Sequence, residues 1–274
     1  MGRIFLLILI FFVSTIRAQE LYVFTDPASN IPARSINVKL KTHGVGDDKR
    51  YGRFTYRVMP QITAGLSKKI QLRLTTTAAN MHTNSFDGES VGLGVKYRFL
   101  SFDGIQKHFR MAAFLDGSLT RDAFHFYDEI SLMGDKTGVE LGLIATQLWH
   151  KFALSGTLSR TEVLDPTRYD GIAYFPKRQY RSLNYAVSAG YLLFPREYRD
   201  YKQPNFNLYV ELLGQRLLGD DLFYLDLAPA VQLILNSTTK INVGQRYQLQ
   251  GNMGRMARRS WLVSVETSFL QAWR

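Results

Sequence analysis

Few groupings in this chain have the types and spacing to make or break a bond. Cysteine is absent, which removes thiolate nucleophiles, thiolate metal sites and disulfides. The five histidines, His43, His82, His108, His125 and His150, fall in segments that read as loops or turns. None lies two residues from a serine on an outward strand face, so a lipid hydrolase has no visible nucleophile and base. His125 with Asp122, Asp128 and Glu129 lacks the regular spacing of a metal site. No catalytic residue, metal or cofactor is expected. What remains is charge placed to attract. Lys39, Lys41, Arg53, Arg57, Arg73, Lys96, Arg98 and Arg110 alternate with apolar residues early in the chain, against the single acid Asp116. Later, Glu140, Glu211, Asp226 and Glu266 alternate in the same way, with one base, Arg246. If those side chains face a common interior, a basic wall opposes an acidic one. Rings of charge of this kind set the selectivity of a pore.

The elements that must carry these residues are β-strands. ESVGLGVKYRFL (89–100) sends Val91, Leu93, Val95, Tyr97 and Phe99 one way and Gly92, Gly94, Lys96 and Arg98 the other. Period two is the signature of a strand. The same alternation predicts further strands over 34–42, 53–66, 70–79, 109–120, 137–148, 152–163, 182–194, 205–215, 222–235, 240–250 and 260–270. Pro60 and Pro229 lie inside two of them, where a missing donor predicts a bulge or kink. Short connections (67–69, 150–151, 236–239) alternate with long ones (121–136, 164–181), as in an up-and-down barrel.

The alternation alone does not say which face is inside. A soluble sandwich would bury Val91, Leu93 and Val95. Three features favour the opposite orientation. The strands are longer than the five or six residues usual in soluble sheets and suit a tilted membrane crossing. The polar face is rich in small residues, Gly92, Gly94, Gly142, Ala186, Ser188, Gly190, Ala228, Ala230 and Gly244, which a crowded barrel interior needs. Aromatics such as Tyr97, Phe99, Trp149, Phe152, Tyr191, Phe194, Trp261 and Phe269 gather near strand ends, where interfacial girdles lie. The expected architecture is all-β: a single up-and-down antiparallel transmembrane barrel of about twelve strands, with apolar residues towards lipid.

Residues 1–18 (MGRIFLLILIFFVSTIRA) pair one early Arg with a short apolar run and a small residue, a cleavable signal peptide. Residues 19–33 form a periplasmic N-terminal segment, whose Leu21-Tyr-Val-Phe24 cluster calls for burial at the periplasmic mouth or within the lumen, and 34–274 form the barrel. The formal charge of +11 favours anionic partners, but no basic run supports a nucleic-acid surface. Two loops, 123–134 and 169–180, are aromatic enough to continue the barrel as hairpins or to contact ligand, and Arg255, Arg258 and Arg259 are placed to meet lipopolysaccharide phosphates.

With its leader, its alternating strands and the closing strand SWLVSVETSFL, the chain resembles the bacterial outer-membrane β-barrel superfamily over nearly all of its mature length. It departs at the end, where Leu-Gln-Ala-Trp-Arg follows Phe269. The resemblance implies the outer membrane of a Gram-negative bacterium, periplasmic termini, outer-membrane lipid and lipopolysaccharide as surroundings, and insertion by the barrel-assembly machinery. It implies a porin-like channel or transporter for small polar, chiefly anionic, solutes. The rival is a closed barrel that anchors or binds through its loops. A lipid hydrolase ranks below both.

Overall fold

A computed structural model describes residues 22–45, 54–80, 85–121, 128–165, 167–169, 172–174, 180–195, 203–255 and 257–273. Among these there is no helix. Twelve strands close into an antiparallel barrel: β1 (Ser35–Val45), β2 (Thr55–Gly65), β3 (Ile70–Ala79), β4 (Asp87–Gly104), β5 (Lys107–Thr120), β6 (Gly138–Trp149), β7 (Phe152–Val163), β10 (Arg181–Phe194), β11 (Asn205–Leu217), β12 (Phe223–Leu235), β13 (Thr239–Gly251) and β14 (Arg259–Phe269). Each pairs with its sequence neighbour in the wall, and β14 returns to β1 in register from Ile36↔Phe269 to Gly44↔Trp261. Closure leaves no unpaired sheet edge. Two further strands, β8 (Thr167–Tyr169) and β9 (Ile172–Tyr174), form a hairpin in the connection between β7 and β10, as expected for that aromatic loop.

The apolar face is outside. Leu93, Leu119 and Leu141 are 67%, 69% and 62% exposed, and Val38, Leu40, Ile62, Val187 and Val243 share that outer surface. So broad an apolar band is untenable in water and suited to acyl chains. Aromatic clusters mark its margins: Phe54, Tyr56, Phe86 and Trp261 at the long-loop end, and Trp149 stacked with Phe152 at the other. Tight turns sit at one end, with left-handed backbone at Gln106, His150, Asn236 and Ser237.

Three local features differ from simple alternation. The prolines cause no register shift; pairing lapses beside Pro60 between Val58↔Ala78 and Gln61↔Thr75, and beside Pro229 between Leu227↔Tyr247 and Ala230↔Gly244. Each proline lacks the donor its neighbour would accept. Bulges instead occur in β4, where Glu89 and Phe99 are skipped in the ladders to β3 and β5. Glu89 therefore turns inward, although strict alternation puts it with Val91. Finally, the loop before β6 forms no hairpin over its described part. Ile130 instead dips into the barrel and packs with Val163, Leu217, Tyr224 and Met253, because an apolar side chain there gains burial.

Candidate functional site

The lumen is the one enclosed polar space in the fold, and two segments cross it. The first is the stretch from Tyr22 to Pro32, termed here the strap, which lies inside the barrel ahead of β1. Wall side chains hold its backbone. Glu211 of β11, fully buried, accepts from the N–H groups of Val23 (2.9 Å), Phe24 (2.8 Å) and Thr25 (2.9 Å) and from the Thr25 hydroxyl (2.7 Å). Lys96 of β4 donates to the carbonyls of Pro27 (2.7 Å) and Ser29 (2.8 Å). Thr146 and Gln71 accept from the N–H groups of Ala28 and Ile31, and Arg110 donates to the Ser29 hydroxyl. Arg73 of β3 clasps Asp26 of the strap and Asp116 of β5 together.

Apolar contacts complete the seating. Tyr22 meets Tyr209 edge-on at 5.8 Å, and Tyr22, Val23 and Phe24 pack with Leu148, Ala153, Ala230 and Leu262. Phe24 lies over Gly244, where a Cβ would come within 2.7 Å of its ring. Enclosure alone would raise the Asp26 carboxyl. Arg73 above all, with Lys96, Lys39 and Lys41, more than reverses this and holds it well below the usual carboxylate range.

The second crossing, at the long-loop end, is the segment 128–137, termed the roof. Its Ile130 exchanges two hydrogen bonds with Gln215, both 2.8 Å. Arg57 of β2 donates to Glu89 (2.6 Å) and to Asp135 of the roof (2.6 Å). Arg255, from the connection between β13 and β14, grips both oxygens of Asp226 (2.7 and 2.8 Å), reaches Glu129 of the roof, and lies 3.6 Å above the Tyr224 ring. Arg246 also bonds to Asp226. Arg255 is thus committed inside the barrel and is not placed to meet lipopolysaccharide, unlike the exposed Arg258 and Arg259.

Between strap and roof lies a chamber of about 360 Å³, lined by Phe24, Thr25 and Asp26 below, Glu129 to Met133 above, and wall residues including Lys41, Arg73, Lys96, Asp116, Glu140 and Arg246. Of the residues singled out in the sequence, Lys39, Arg57, Lys96, Glu211, Asp226 and Glu266 are buried, and Arg73, Arg98, Arg110 and Glu140 are half-buried; Arg53 lies outside the described residues. The charges are neutralised locally, and two bare walls do not face one another. Glu266 meets Lys39 (3.7 Å) and Lys240 (3.1 Å) on the two strands beside it, and Arg110 pairs with Asp103 (2.7 Å). Partners such as Asp26, Glu89, Glu129, Asp135 and Lys240 were not legible as such. They come from loops, a bulge and the far side of a strand pair that only closure brings near.

The histidines also differ from expectation. His43 lies in β1 with Nε2 2.7 Å from the Ser260 hydroxyl, and His108 lies in β5, 3.0 Å from Asp103. No third group orients His43 among the described residues, so the serine–histidine pair lacks what a hydrolytic site requires. His82, His125 and Asp122 lie outside the described residues, and no metal-binding cluster occurs among the rest.

No family model and no curated protein matches the chain. Solved structures do. The COG4313 outer-membrane channel from Pseudomonas putida F1 superposes with a TM-score of 0.52 at 12% identity, covering 89% of this chain and 100% of that one. The NanC porin gives 0.48 at 10% identity (85% and 98%), and the KdgM porin 0.47 at 12% (86% and 99%). Closure, strand number, the outward apolar band and this likeness agree: by fold, the chain is an outer-membrane-type β-barrel.

Proposed function

We propose that this protein is a porin-like channel for small polar solutes in the outer membrane of a Gram-negative bacterium, exported by a leader spanning residues 1–18. The supporting observation is the polar chamber of about 360 Å³ inside a closed barrel, capped by segments held through hydrogen bonds and ion pairs and not built into the wall. The resting state is closed, and the strap is the element that moves. It is joined to the wall by one covalent link, at the start of β1, whereas a strand of the wall is bonded along both edges. Local pairing of the interior charges argues against strong selection by sign, so the expected cargo is small and polar, without a marked preference for anions. The printed names of the similar structures, a channel and two porins, agree with this class. Liposome swelling with polar solutes of graded size tests it. Entry with a sharp size limit, faster when residues 22–32 are deleted, is the expected result. Impermeable liposomes with both proteins would remove the channel reading.

A second reading is favoured by the two covers on the chamber: a closed barrel that binds through its loops. Protease shaving of whole cells separates the two, because the loop reading predicts lost binding with permeability intact.

A further inference from the structure

The charges lining the chamber can be followed group by group. Asp26 and Asp116 both bond to Arg73. Glu129 is met by Arg255 and Arg246, and Arg246 also bonds to Asp226. Lys96 directs donors to the strap carbonyls. Two lining groups stand apart. Lys41 of β1 makes no hydrogen bond or ion pair among the described residues, although Lys39 on the same inward row has Glu266. Glu140 of β6 accepts only from the neutral groups of Ser159 and Asn184, with no cation in ion-pair contact among the described residues. The two strands lie on well-separated arcs of the wall, so their side chains approach the chamber from different sides.

A charge held away from bulk water without a counter-charge is costly, and a ligand supplying that counter-charge recovers the cost. Here the chamber offers one unmatched cation and one unmatched anion. We propose that it is a binding site for a small zwitterion, whose carboxylate meets Lys41 and whose ammonium meets Glu140. This deepens the channel reading by naming a solute class for the same lumen. A simple anion satisfies Lys41 but is repelled by Glu140, and a simple cation meets the reverse, so each is disfavoured by an unmatched charge. A volume of about 360 Å³ lies at the lower end of the range for small-molecule sites and fits a solute of amino-acid size, not a polymer.

Calorimetric titration of the full chain in detergent, with glycine, β-alanine and γ-aminobutyrate against acetate and methylammonium, tests the assignment. At least one zwitterion is expected to bind tenfold or more tightly than either single charge, and the preferred length reads the gap between the two groups. Lys41→Met and Glu140→Gln should each abolish that preference while heat-modifiable gel migration stays unchanged. Acetate binding as tightly as the zwitterions, or no binding by the unaltered chain, overturns the proposal without recourse to a variant; so does a preference that survives both substitutions. Swelling of liposomes by the same preparations keeps the two readings apart. Permeation without zwitterion preference removes this inference alone, and zwitterion binding without permeation supports it while removing the channel.

Discussion

Strap and roof close the same lumen by different chemistry. The strap is gripped mainly through its backbone: Glu211 takes three consecutive N–H groups, Lys96 takes two carbonyls, and one side-chain ion pair, Asp26 with Arg73, joins them. The roof is held by arginines, Arg57 on Asp135 and Arg255 on Glu129, each also tied to a wall carboxylate. A backbone segment gives up its wall partners and regains hydrogen bonds to water when it leaves. An arginine–carboxylate network in a low-dielectric interior leaves stranded charges if one member goes. The strap is therefore the movable cover and the roof the fixed one.

Breaking the roof has the largest expected effect. Asp226→Asn removes the carboxylate shared by Arg246 and Arg255, and should destabilise the folded protein by about 3 kcal/mol, read from denaturant unfolding in detergent. An unchanged midpoint would mean that Glu129 alone satisfies both arginines. Gly244→Val comes next. Its side chain occupies the place of the Phe24 ring, so the strap should undock while barrel migration on gels stays normal. Crosslinking between strap and wall would report this, and a strap still seated would show that Phe24 can turn aside. Glu211→Gln sets an amide NH₂ against N–H donors and should cost the strap about 1–3 kcal/mol, seen as faster amide exchange at Val23 to Thr25 and not in the roof.

The pH response is smaller and has a definite sign. Asp26 is held below its ordinary value near 3.8, so its contribution is complete above that pH and declines only as pH falls further, through the lowered value. Strap exchange should be flat from pH 7 to about 4; release within that range would contradict the pairing with Arg73. At the outer rim, Arg160→Ala removes an exposed contact to Glu162 and should change stability by less than about 1 kcal/mol.

Much of this was legible in the residues. Alternation such as Val91, Leu93 and Val95 against Gly92, Gly94 and Lys96 placed the strands, the barrel and the outward face, because the pleat fixes side-chain direction within a strand. Gly244 and Gly190 read correctly as interior, and the room they leave is filled by Phe24 and Tyr209. The site was less legible. Alternation says that Arg57 and Arg73 point inward but not whom they meet, since Asp135 comes from a loop and Asp26 from the strap. Glu89 was hidden by a bulge that reverses its face. The apolar Tyr22, Val23 and Phe24 did signal burial, though neither their depth nor the grip of Glu211 follows from pattern.

Paired planar-bilayer recordings from the full chain and from a chain lacking residues 22–32 test the movable strap most directly. The account predicts rare, small openings with the strap present and frequent, larger unitary steps without it. Identical unitary conductance and open time in the two proteins would contradict it.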